Sequence, residues 1–195
     1  YHYLQPDVDW HNRIQLRVED LERKPLLVAD AGYMYVAKMS GLASCYDLFT
    51  PDAGELAFLA DETAPHPFYT RGFILQEEER VPELIRWAYE HNDAPRFLLV
   101  KGRCDVVASE EGVLETVCEP CVETMEPIGG TGDSLTGIVA ALIAAQYPIH
   151  RACSLGARIN RMMGFLAEPS PASSIEELLD SLPEALANVL QHAPQ

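Results

Sequence analysis

Gly129-Gly130-Thr131-Gly132-Asp133 runs straight into an apolar stretch from Leu135 to Ala145. Glycines let a backbone turn so that several N–H groups face one point, and a helix starting there adds the positive end of its dipole; such a pocket binds phosphate. An aspartate in the first turn stands where it can take a proton from a substrate hydroxyl while negative charge gathers in the anion pocket. This is the layout of a phosphoryl-transfer site, with Asp133 as candidate base and Gly130, Thr131 and Gly132 as candidate phosphate binders. The same five residues also read as an ordinary loop ahead of a helix, with Thr131 or Asp133 as its cap.

The elements that must position this loop follow from pattern. Leu26 to Ala29, Cys45 to Phe49 and Phe97 to Val100 are short apolar runs of the kind buried on both faces of a parallel sheet. Between them, Tyr33 to Met39 predicts a short helix closed by Gly41, and Thr50-Pro51 with Glu55 predicts a helix start backed by Leu56, Phe58 and Leu59. Val81, Leu84, Ile85, Ala88 and Tyr89 mark the buried stripe of a helix over 77–91. Residues 62–76, with Pro65, His66, Pro67 and Gly72, read as a surface loop or lid, the segment suited to motion. Asp105 to Ala108 and Leu114 to Val117 flank a Glu110-Glu111-Gly112 turn as a hairpin. Three helices follow over 133–146, 149–167 and 174–191, the last capped by Ser173 or Ser174, and an earlier helix is expected over 12–22. Strand–helix alternation implies right-handed crossovers and a doubly wound, mainly parallel sheet with helices on both faces. Ligands bind such sheets beyond the carboxyl ends of the strands.

A chain of 195 residues, 48% of them hydrophobic, is expected to form one α/β domain over residues 1–195. Its net charge of −16 opposes nucleic acid and anionic membrane surfaces as partners. No apolar run approaches the ~18 residues of a membrane span, and a cytoplasmic location is expected. Five cysteines argue against a disulfide framework and for a reducing compartment; Cys118 and Cys121 are the only close pair, read as structural rather than as a metal or redox motif.

The polar residues after each strand complete the pattern: Asp30, then Thr50-Pro51-Asp52-Ala53-Gly54-Glu55, then Lys101-Gly102-Arg103, then the glycine loop. In order, approximate spacing and setting these motifs resemble the ribokinase-like superfamily, and within it the ATP/ADP-dependent NAD(P)H-hydrate dehydratases, over roughly residues 26–166. That family reads Asp-Ala-Asp-Ala-Leu-Asn after the first strand, then Thr-Pro-His-x-Gly-Glu, Lys-Gly and Gly-Gly-Thr-Gly-Asp. The resemblance implies a lyase of cofactor repair. ATP or ADP, with Mg2+, phosphorylates the hydroxyl of hydrated NADH or NADPH, and loss of phosphate restores the dihydropyridine. By the same match Asp133 is the base, and Gly130, Thr131 and Gly132 hold the nucleotide phosphate. Lys101, Gly102 and Arg103 line the nucleotide side, and Asp30 and Asp52 face the substrate. Glu55 either helps to position the metal or, the reading that weighs more, supports the helix start. A homo-oligomer is the expected state, and most of the family's glycine-rich strands upstream of Leu26 are expected to be missing.

This chain departs from the family pattern at three places. Asp52 stands at the family's histidine, and Gly32 and Tyr35 stand at its second aspartate and its asparagine. These favour an alternative, a ribokinase-fold kinase acting on a hydroxymethyl group of a vitamin precursor or sugar. A third reading is a non-catalytic nucleotide-binding remnant.

Overall fold

Asp7 opens the first helix by accepting a hydrogen bond from the Trp10 backbone N–H at 2.9 Å, and α1 then runs Val8–Glu19. It starts and ends earlier than the expected 12–22 because its buried positions are the polar His11 and Gln15, one turn apart. The His11 ring shares a 2.9 Å hydrogen bond with the Tyr46 hydroxyl and stacks on the Tyr46 ring. Apolar periodicity cannot find a helix that docks through an imidazole.

The apolar runs shorten into strands β1 (Val28–Ala29), β2 (Leu48–Phe49) and β3 (Phe97–Val100), paired parallel with Val28 opposite Leu48 and Leu48 opposite Phe97. β4 (Asp105–Ser109) pairs antiparallel to β3, with Leu99 opposite Val107, and β5 (Gly112–Val117) follows after the Glu110-Glu111 turn. The five strands lie in chain order in one mixed sheet. Helix α2 (Gly32–Met39) connects β1 to β2, and α3 (Ala53–Ala60) and α4 (Val81–Glu90) both lie between β2 and β3, so the α/β class read from the sequence is the class observed.

The computed structural model describes residues 7–64 and 80–192. The proposed loop or lid over 62–76 therefore lies mostly outside the described residues, as does the start of the helix expected over 77–91. The chain divides into two compact units, Tyr1–Gly102 with Val106–Leu114, and Arg103–Asp105 with Glu115–Gln195. In the first, Met34, Phe49, Phe58, Leu59, Ile85 and Leu98 form the centre of the core.

In the second unit α5 (Thr131–Ala144) packs on α6 (Ile149–Ala167), and α6 packs on α7 (Ile175–Leu179) and α8 (Leu182–His192). At the α5–α6 contact a Cβ on Gly156 would stand 2.4 Å from Val139 Cγ2, so only glycine permits this approach. The single helix expected over 174–191 is two helices. Pro183 has no N–H and its ring would meet the carbonyl four residues back, so it is accommodated only in a first turn, where α8 places it.

The cysteine reading also needs correction, because Cys118 is joined to Cys104 and not paired with Cys121. These two residues lie just outside the hairpin at either end, and β4 and β5 bring their Cα atoms to 4.2 Å. Cys45, Cys121 and Cys153 carry free thiols. No helix among the described residues is long and apolar enough to cross a membrane.

Candidate functional site

The glycine loop enters α5 through Gly130, which is the N-cap in the left-handed region at φ 98°. An L side chain is disfavoured there, and a Cβ would also lie 3.2 Å from the Ile175 side chain. Neither Thr131 nor Asp133 caps the helix, so the capping alternative is not what the structure has. Thr131 instead donates from its hydroxyl to the Ile128 carbonyl at 3.2 Å, closing the loop onto the helix, and Asp133 sits exposed in the first turn. The N–H groups of a first helical turn have no acceptor within the helix, and at Gly129 the space a Cβ would take is open.

Thr131 is held from the next helix as well. The Asn160 side chain on α6 donates from Nδ2 to the Thr131 carbonyl at 3.2 Å, and its Oδ1 lies 2.8 Å from the Ser134 hydroxyl. Asn160 lies beside the apolar stripe of α6 and belongs to no motif, so residue spacing does not single it out. A polar residue inside a buried helix was the one available signal. Farther along α6, a cavity of about 380 Å³ is bordered by Leu155, Met162, Val189, Arg158, Glu115 and Asn188. Arg158 and the Ser154 hydroxyl donate to the Glu115 carboxylate at 2.6 and 2.5 Å. Burial is the largest single influence and works against that carboxylate's charge, but the Ser154 and Arg158 hydrogen bonds and the charges of Arg158 and Arg151 together outweigh it and lower its pKa.

In the first unit the carboxyl ends of β1, β2 and β3 bring together Asp30, Asp52, Glu55 and Lys101. The Lys101 ammonium donates to Asp30 Oδ1 at 2.8 Å and lies 3.9 Å from Glu55 Oε2. Asp52 and Glu55 form a reciprocal cap at the start of α3: the Glu55 N–H donates to Asp52 Oδ1 at 2.7 Å and the Asp52 N–H to Glu55 Oε2 at 2.8 Å. The helix-start reading of Glu55 thus has its geometry. The same bonds commit one Asp52 oxygen to the backbone.

Burial disfavours the Glu55 anion and Asp52 repels it, so its carboxyl is pushed up to about 7 even with Lys101 nearby. Burial disfavours the Lys101 charge too, but Asp30 and Glu55 more than offset this and raise its pKa. Lys101 is therefore an ion-paired group and not a solvated strand end. Gly102 and Arg103, which follow it, are exposed. Immediately after Asp30, Ala31 holds φ 44° and ψ −123°, a strained conformation of the sort that clusters at ligand sites. The Asp30 carboxylate accepts the Ala31 N–H at 3.0 Å and helps to hold it there.

A family model described as NAD(P)H-hydrate dehydratase matches residues 9–184, which includes both clusters. The chain belongs to the NAD(P)H-hydrate dehydratase family. Among its relatives, an uncharacterised protein of Methanocaldococcus jannaschii is 41% identical over 191 residues, covering 97% of this chain and 79% of that protein. A bifunctional NAD(P)H-hydrate repair enzyme of Hyperthermus butylicus is 35% identical over 99 residues, which is 49% of this chain and 18% of the enzyme.

Several solved structures are similar in fold. A ribokinase-like superfamily protein of Enterococcus faecalis V583 has a TM-score of 0.65 at 17% identity, covering 95% of this chain and 61% of that one. A pyridoxal kinase of Entamoeba histolytica with PLP has a TM-score of 0.64 at 16% identity, covering 92% of this chain and 65% of the kinase. This member of the dehydratase family thus has the ribokinase-like fold and spans less than two thirds of either structure's length.

Proposed function

We propose that this chain performs nucleotide-dependent dehydration of hydrated NADH or NADPH, with Asp133 as the base. The observation that carries the reading is the placement of Asp133 in the first turn of α5, after a left-handed Gly130, in a chain of the dehydratase family. The amides of residues 131–133 and the positive end of α5 stabilise the charge of the transferring phosphoryl group. Asp133 accepts the proton of the ring hydroxyl as the oxygen attacks. The new phosphate ester then leaves as inorganic phosphate, and a ring proton is lost as the double bond forms.

Magnesium fits as an ion carried on the nucleotide. Mg2+ keeps waters and phosphate oxygens in its shell, so it does not require the cluster of three or more ligating side chains that is absent among the described residues.

The test supplies hydrated NADH with ATP or ADP and follows the near-ultraviolet absorbance of the dihydronicotinamide. Recovery of absorbance with release of one phosphate per turnover supports the reading. Asp133→Asn should lower kcat by about 10²- to 10⁴-fold while nucleotide binding persists. Full activity in that variant removes Asp133 as base, and no recovery by the unaltered chain with either nucleotide overturns the reading. Asp52 supports a second reading, a small-molecule kinase. It stands where the resembled motif has histidine, and one of its oxygens caps α3. That reading requires nucleotide turnover only when a hydroxymethyl compound is added.

A further inference from the structure

Asn160 lies in the interior of a 19-residue helix with 7% of its surface exposed. Asparagine weakens a helix interior and a buried amide must be hydrogen-bonded, so neither helix propensity nor core packing favours it there. Its bonds run to another helix. Nδ2 donates to the Thr131 carbonyl and Oδ1 meets the Ser134 hydroxyl, both in the first turn of α5. The Thr131 carbonyl belongs to the same rigid peptide group as the Gly132 N–H. In a trans peptide the two point in opposite directions, so holding the oxygen aims the N–H. A hydrogen bond accepted by that carbonyl also polarises the peptide and strengthens the donor at its other end.

We infer that Asn160 is a positioning residue for the phosphate-facing amide, bracing from α6 the Thr131–Gly132 peptide whose carbonyl also accepts the Ser134 hydroxyl at 2.8 Å. This rests on the reading of the α5 start as the nucleotide phosphate site. It adds that the site's geometry is set from α6, by a side chain that never touches the nucleotide.

The test measures ATP affinity by calorimetry in the unaltered chain, in Asn160→Leu and in Asn160→Asp, with thermal midpoints alongside. Asn160→Leu keeps the volume and loses the donor, and should bind ATP about tenfold more weakly, the equivalent of one net hydrogen bond. Asn160→Asp separates positioning from mere support of the fold. As a carboxylate it cannot donate to Thr131, but once protonated it can. Its ATP affinity should therefore fall well below that of the unaltered chain at high pH and approach it as pH is lowered, with the ratio of the two giving the profile.

ATP affinity within twofold of the unaltered chain in Asn160→Leu, or a ratio for Asn160→Asp that does not change with pH, overturns the inference and leaves the phosphate site standing. If the leucine variant does not fold, Asn160→Ala, equally uncharged and without the donor, decides in its place. An unaltered chain that binds neither ATP nor ADP overturns the phosphate-site reading and this inference together.

Discussion

Lys38→Met removes a buried ammonium on which the first unit's core depends. The Lys38 side chain is 6% exposed, and its Nζ lies 2.5 Å from the Phe58 carbonyl, 2.6 Å from Asp61, 3.2 Å from Leu59 and 3.2 Å from the Asp93 carboxylate. Two of those carbonyls belong to the last turn of α3, where the helix supplies no donor. Burial lowers the Lys38 pKa, with Asp93 and Asp61 opposing the shift.

Methionine fits the space but donates nothing, leaving a largely buried carboxylate and a helix end without their cation. Stripping one partner from a buried ion pair costs about 3–5 kcal/mol. Asp93, with 17% of its side chain exposed, retains some water and draws the figure toward the lower end. We expect a loss of about 3 kcal/mol, a large share of the roughly 5–15 kcal/mol that holds a typical protein folded.

The assay is urea unfolding at neutral pH, with Lys38→Met/Asp93→Leu beside the single variant. The double variant should recover part of the loss, because the orphaned charge is gone, with a coupling of about 0.5–3 kcal/mol. A single-variant loss below about 1 kcal/mol, or strict additivity in the pair, would refute the reasoning.

Gly130→Ala should destabilise the second unit by about 1–2 kcal/mol through its left-handed backbone alone, and should weaken ATP binding. Adding Ile175→Ala ought to relieve only the contact with Ile175, and calorimetry with thermal melts separates the two parts. The Glu55 carboxyl, raised to about 7 from 4.5, binds more protons folded than unfolded between those values. Its contribution to stability is complete below pH 4.5 and disappears as pH rises through about 7. Glu55→Gln should flatten that falling slope, which is at most about 1.4 kcal/mol per pH unit, in melts taken across the window. Cys104→Ser opens a closed loop with a sequence separation of 14 and should cost about 3 kcal/mol under non-reducing conditions; an unchanged unfolding midpoint would mean that the bridge contributes nothing.

The elements most legible in the sequence were those whose signal is local. Phe97 to Val100, the α4 stripe and the 149–167 helix each declare themselves within one short window, because burial on a strand or a helix face forces a period on the chain. The glycine-loop motif was legible for the same reason: a left-handed turn at the start of a helix needs Gly130 where it stands.

Long-range features were not legible. The docking of α1 through His11, the bridge between Cys104 and Cys118 and the brace from Asn160 each depend on a partner distant in sequence. Lys101 makes the same point, since its residue type promised a cation and the fold surrounds it with Asp30 and Glu55. Sequence alone therefore determined the α/β class, the strand-end motifs and the place of Asp133 at the start of a helix. Tertiary structure alone decided which charges are paired, which carboxyl is raised and what holds the first turn of α5. Hydrogen bonds and burial act between neighbours in space, and only the folded chain names those neighbours.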